Sequence, residues 1–213
     1  MIVGLEQATI AKGLPGSVYR MLFTNIPGNR LRAGRALRRR DELLRDILAD
    51  FRRTFPELLF ELDQASPTVN AQAIVRIDRR VVRIYGGLAY HAHVGVDGLI
   101  FTLLHETGHH LSSGGRLALR EDLACECAAD CWALTEGAAR LKEETGRTFV
   151  IGEAIRSLDQ LTQPCGGGTK ADAKLCWSMN WSRRKRALAG PESARSVRRC
   201  HLPEFFASEV NYI

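Results

Sequence analysis

The residues from Leu103 to Leu111 read L-L-H-E-T-G-H-H-L. They sit in a stretch where Leu99, Ile100, Leu103, Leu104 and Leu111 recur at helical spacing, so the pattern predicts a helix. On a helix, His105 and His109 lie four residues apart, with both imidazoles on one face and one turn between them. One zinc ion can then reach a nitrogen from each at about 2.0–2.1 Å. Glu106 stands beside the first histidine, where it can take the proton of a water that attacks a carbonyl. A random chain with 6 histidines and 14 glutamates in 213 residues carries H-E-x-x-H about once in a hundred cases. The independent helical pattern tightens the match. Gly108, just before the second histidine, removes a side chain where a neighbouring backbone could approach.

Catalytic zinc has three protein ligands and a fourth position for water, so a second element must supply a ligand. The next helical pattern offers Asp122, Glu126 and Asp130 at four-residue intervals, an expected acidic stripe. If the two helices fold antiparallel about Gly114-Gly115, His105 lies level with about residue 124 or 125 at ~1.5 Å per residue. Glu126 is within side-chain reach of that level. Asp130, one turn on, can accept the free N–H of a metal-bound imidazole. Asp122 and Glu121 are rival third ligands on this reckoning. His110 points elsewhere and is read as a partly buried polar residue.

"HETGHH" followed by "ECAADCWA" resembles the gluzincin metallopeptidases, whose motifs are H-E-x-x-H and E-x-x-x-D. The resemblance covers roughly residues 73 to 140. It implies zinc held by His105, His109 and Glu126, with Glu106 as general base and Asp130 orienting a ligand histidine. It also implies a sheet edge that binds the substrate as an added strand. Within the class, the lack of membrane spans makes the chain look like the small soluble intracellular peptidases of bacteria and phages, some of which cleave repressors.

At 213 residues the chain suits one domain with extensions and can bury a sizeable core without staples. Apolar residues at 45% and charged residues at 25% are ordinary for a globular protein. No run approaches the ~18 apolar residues of a membrane span, and the start lacks a basic head followed by an apolar block. A cytoplasmic protein without membrane association is expected. Cys125, Cys127 and Cys131 crowd one segment, while Cys165, Cys176 and Cys200 are scattered, which favours reduced thiols over a disulfide framework. Leu123, Cys127, Cys131 and Leu134 are expected to share a buried helical stripe. A structural zinc site from Cys165, Cys176, Cys200 and His201 fits no trusted spacing.

Net charge is +6. Arg30, Arg32, Arg35, Arg38, Arg39 and Arg40 form one basic zone, and Arg183, Arg184, Lys185, Arg186, Arg195, Arg198 and Arg199 form another. These zones could touch nucleic acid or an acidic partner, and a solvated helical face is the preferred reading.

Along the chain, a short helix is expected around "SVYRMLF", then an amphipathic helix from Leu31 to about Phe51 and a second short one through "ELLFELDQA". Two or three antiparallel strands are expected over residues 71–95. "YHAH" would place His91 and His93 on one strand face, and Tyr85 and Tyr90 are candidate oxyanion donors near a sheet edge, more plainly read as packing. The histidine helix should follow, N-capped by Asp97, then a long helix from Leu117 to Glu144 and another from Gly152 to Leu161. A further helix is expected around residues 171–188.

The expected fold is α+β, a small antiparallel sheet packed on a helical core, with the H-E-x-x-H helix followed by an antiparallel glutamate-bearing helix. Residues 1–163 would form the metallopeptidase domain, with a helical part at 1–70 and the metal-site core at 71–145. Residues 164–213 would form a basic extension. The expected function is zinc-dependent hydrolysis of a protein or peptide substrate. The alternative is a non-catalytic metal-containing protein that uses its basic surfaces to contact nucleic acid or an acidic protein.

Overall fold

A computed structural model describes residue 31 and residues 33–117, 120–124 and 126–162. Helix α1 (Gly34–Thr54) buries Leu44, Ile47, Leu48 and Phe51 at three- and four-residue spacing. The Phe55 N–H closes its last turn onto Phe51 O at 2.9 Å, and Pro56 cannot continue it. Strand β1 (Leu59–Asp63) follows, where a short helix was expected. The reason is tertiary: β1 pairs in parallel with β3 (Arg79–Tyr85), and Phe60 drops into the core beside Phe51 and Phe55. Strand β2 (Ala71–Arg76) forms a tight hairpin with β3, with Arg76 opposite Arg79.

The sheet order is β1-β3-β2, so the sheet is mixed and not purely antiparallel. Its two faces differ in kind. Phe60, Val82, Ile84 and Ala71 point into the main core. On the other face Glu61 accepts hydrogen bonds from Arg83 at 2.8 and 3.0 Å and from Arg76 at 3.2 Å. Tyr85 donates to Gln72 Oε1 at 2.5 Å.

After β3 the expected run of strand stops. The chain turns into the one-turn helix α2 (Gly86–Ala89), packed hard against the 64–68 loop. A Cβ on Gly87 would stand 2.1 Å from Pro67 O, so no larger residue fits this path. "YHAH" is therefore not a strand. His91 is buried and bridges to Leu31, while His93 is exposed. Buried Arg40 of α1 holds this connection, donating from Nε to Ala89 O at 2.6 Å and from Nη2 to Val94 O at 2.9 Å. Beside it Tyr90 donates to Asp41 Oδ1 at 2.7 Å. Burial and that bond raise the phenol's pKa, which leaves Tyr90 a packing and anchoring residue.

Helix α3 (Val96–Leu111) carries the histidines and is apolar nearly all round, as a central helix must be. Its N-cap is Gly95. Asp97, the expected cap, lies in the first turn and accepts the Val150 N–H at 2.7 Å, tying down the start of α6 (Ile151–Thr162). The expected long helix from Leu117 to Glu144 is divided. Strands β4 (Arg116–Leu117) and β5 (Arg120–Ala124) form a small ribbon. Helix α4 (Glu126–Trp132) then passes through a π-helical turn, Ala133–Gly137, into α5 (Ala138–Thr145).

The protein is thus α+β, with α3 at its centre between the sheet, α4 and α6. No helix of the described residues is long and apolar enough to cross a membrane. The helices expected around 17–23 and 171–188, the boundary at 163/164 and the cluster of Cys165, Cys176, Cys200 and His201 lie outside the described residues. So do Cys125 and the Cys127 side chain. The expected cysteine stripe breaks, because Leu123 belongs to β5, and Cys131 is half-buried and outside any disulfide.

Arg40→Leu removes the guanidinium donors to Ala89 O and Val94 O at a buried bend and should destabilise the fold by about 2–4 kcal/mol. Urea unfolding measures this, and an unchanged midpoint would show that the clamp is dispensable.

Candidate metal centre

His105 and His109 sit on one face of α3, both about 5% exposed. Their Nε2 atoms are 3.0 Å apart. Glu126, the first residue of α4, reaches over both: Oε2 is 3.2 Å from His105 Nε2 and Oε1 is 3.4 Å from His109 Nε2. These three residues form a group whose ligand atoms lie within 4.8 Å of one another.

The outer nitrogen of each ring decides what the inner one can do. His105 Nδ1 lies 2.8 Å from Asp130 Oδ1, and Asp130 is itself buried. A carboxylate accepts, so Nδ1 carries a proton, and in the neutral ring Nε2 holds the lone pair. His109 Nδ1 lies 2.6 Å from the main-chain oxygen of Ala124. A carbonyl can only accept, and the same tautomer follows. In their neutral form the two rings therefore aim Nε2 lone pairs at the Glu126 carboxylate and at each other. Three acceptors at such distances repel unless a cation sits between them. Ligands at 2.0–2.1 Å around a tetrahedral ion stand about 3.3 Å apart, and the observed separations of 3.0, 3.2 and 3.4 Å bracket that value. The donor set fits zinc or a similar borderline ion.

The convergence depends on a close helix crossing. A Cβ on Gly108 would stand 2.7 Å from Ala129 O and 3.0 Å from Ala129 Cα. Only glycine lets α4 lie this close to α3, and that approach carries Glu126 and Asp130 to the histidines. The Glu126 side chain is 44% exposed, so the group opens to solvent on that side. Glu106 follows His105 by one residue and precedes His109 by three, which puts it on the helix face next to the ligands; it is partly exposed.

The remaining sequence candidates stand apart. Asp122 is exposed on β5, so the expected stripe through Asp122, Glu126 and Asp130 does not exist. The Glu121 side chain lies outside the described residues. His110 is buried and donates from Nε2 to Val81 O at 3.0 Å, stitching α3 to the sheet. Burial, above all, lowers its pKa to about 4, so it stays neutral at physiological pH. His91 and His93 are not members of the converging group. Sequence reading missed the Ala124 carbonyl, and no residue type could have signalled it, because any amino acid supplies the same oxygen.

No protein-family model matches the chain, and comparison with curated proteins and with solved structures likewise returns no match. The site must be interpreted from its own geometry.

Gly108→Ala should push α4, and with it Glu126, off α3 while changing no candidate ligand residue. Zinc affinity, read by chelator competition, should fall roughly 10–100-fold, the range seen when groups that support metal ligands are disturbed. Parental affinity would show that the close crossing does not set the ligand geometry.

Proposed function

We propose that the protein is a zinc-dependent peptidase of the gluzincin type. The observation that carries this reading is the convergence of His105 Nε2, His109 Nε2 and the Glu126 carboxylate, with each histidine tautomer held from behind. Structural zinc sites are closed by four protein ligands, whereas catalytic ones use three and keep a position open. Three ligands with a half-exposed glutamate match the second kind.

Zinc bound there supplies a Lewis acid that lowers the pKa of water and polarises a carbonyl. The chain's own residues do the rest. Asp130 and the Ala124 carbonyl fix the ring orientations, aim both Nε2 atoms at the metal position and raise their basicity as ligands. Glu106 accepts the proton of the attacking water as the new C–O bond forms. It then delivers that proton to the amine nitrogen as the C–N bond breaks, so no covalent enzyme intermediate is required. Strand β2 is an edge of the sheet and packs on α3, which offers an extended peptide a strand to pair with.

Glu106→Gln should keep a full complement of zinc and lose about 10²–10⁴-fold in turnover on a pool of quenched fluorescent peptides. Cleavage at the parental rate would falsify its role as base. Metal analysis gives an independent check. Glu126→Ala should lose zinc and Asp122→Ala should keep it; the reverse result would move the third ligand to β5.

A further inference from the structure

Charge is unevenly distributed along this chain. Residues 1–40 carry eight basic side chains and one acid, a net charge of +7. Residues 41–163 carry thirteen basic and nineteen acidic side chains, net −6, and residues 164–213 carry nine and four, net +5. The body that holds the metal group is acidic, and the excess positive charge lies at the two ends. In residues 1–40 seven of the eight basic side chains are arginine.

Part of the first basic zone is described, and it splits in two. Arg40 turns inward and clamps Ala89 O and Val94 O. Arg35, Arg38 and Arg39 turn outward and are exposed, and none has an ion-pair or hydrogen-bond partner among the described residues. Their spacing of three and four puts them side by side on one face of α1. No acid stands in the first turn of that helix, and its N-terminal end already carries the positive pole of the backbone dipoles. Like charges gathered there repel one another and that pole. Glu42, one turn on, is the nearest acid along this face.

We infer that the Arg35–Arg38–Arg39 face of α1 binds the phosphate backbone of nucleic acid without reading its sequence. The guanidinium fork matches phosphate oxygens two at a time, which suits a surface built of arginine in preference to lysine. A membrane surface fits less well. An interfacial helix needs a free apolar face to insert, and the apolar face of α1, with Leu44, Ile47, Leu48 and Phe51, is committed to the core. The surface is independent of the metal group, so it stands or falls separately from the peptidase reading.

The test uses the full chain, a fluorescent 20-base-pair DNA of arbitrary sequence and vesicles rich in phosphatidylserine. The wild-type protein should bind the duplex at low salt, with log K falling linearly against log salt. The triple variant R35Q/R38Q/R39Q should lose at least tenfold in affinity, and its salt slope should become shallower by about 2–3, one phosphate contact per arginine. Its zinc content and melting temperature should stay at parental values, since all three side chains are exposed. Glu42→Gln should tighten binding and remain salt-dependent. Three outcomes overturn the inference: no duplex binding by the wild type, a triple variant with unchanged affinity and slope, or arginine-dependent binding to vesicles alone.

Discussion

Two imidazole nitrogens and a carboxylate, brought within 3.0–3.4 Å of one another, form a group that could hold a metal ion, and like-charged or lone-pair-bearing atoms this close favour a cation among them. The arrangement around the histidines serves this one constraint. Asp130 and the Ala124 carbonyl select the Nδ1–H tautomer by accepting a hydrogen bond from it. Burial of both rings fixes their rotamers. Gly108 permits the backbone contact with Ala129 without which Glu126 would fall short. The group therefore reads as one unit spread over α3, β5 and α4.

Holding that unit still is the task of the scaffold. His110 ties the end of α3 to the central strand through Val81 O, and Asp97 ties its beginning to the start of α6. Arg40 and Tyr90 fasten the segment that leads into α3 onto α1. The histidines thus sit on a helix pinned at both ends. Glu126 alone of the three reaches toward solvent. That division leaves the imidazoles rigid and buried and the carboxylate side open.

Helix α1 joins two roles on opposite faces. Its apolar side supplies Leu44, Ile47, Leu48 and Phe51 to the core, and its N-terminal outer side carries exposed arginines. The core side needs little from those arginines, so their presence is a matter of surface chemistry and not of folding. Arg40 is the exception, and its burial shows that a run of like residues need not share one purpose.

Periodicity alone located α1, the histidine helix and α6, because each is long enough for the 3.6-residue repeat to be unambiguous. The β2–β3 hairpin was legible from its β-branched residues. The spacing of His105, Glu106 and His109 and the glycine at 108 were legible in the sequence; Glu126 and Asp130 were named there through a helical hairpin about Gly114-Gly115, whereas the chain reaches α4 through the β4–β5 ribbon. Short apolar runs did not resolve: "LFELD" fits a helix or a strand equally well, and only pairing with β3 made it β1. The register that turned residues 120–124 into a strand, and so removed Asp122 from the acidic stripe, lay beyond local pattern. The proton positions on the two ligand histidines were decided by a main-chain carbonyl and by a carboxylate on another helix. Sequence specifies which groups a chain owns and how they repeat; which lone pairs face one another depends on contacts between distant segments, and only the folded chain sets those.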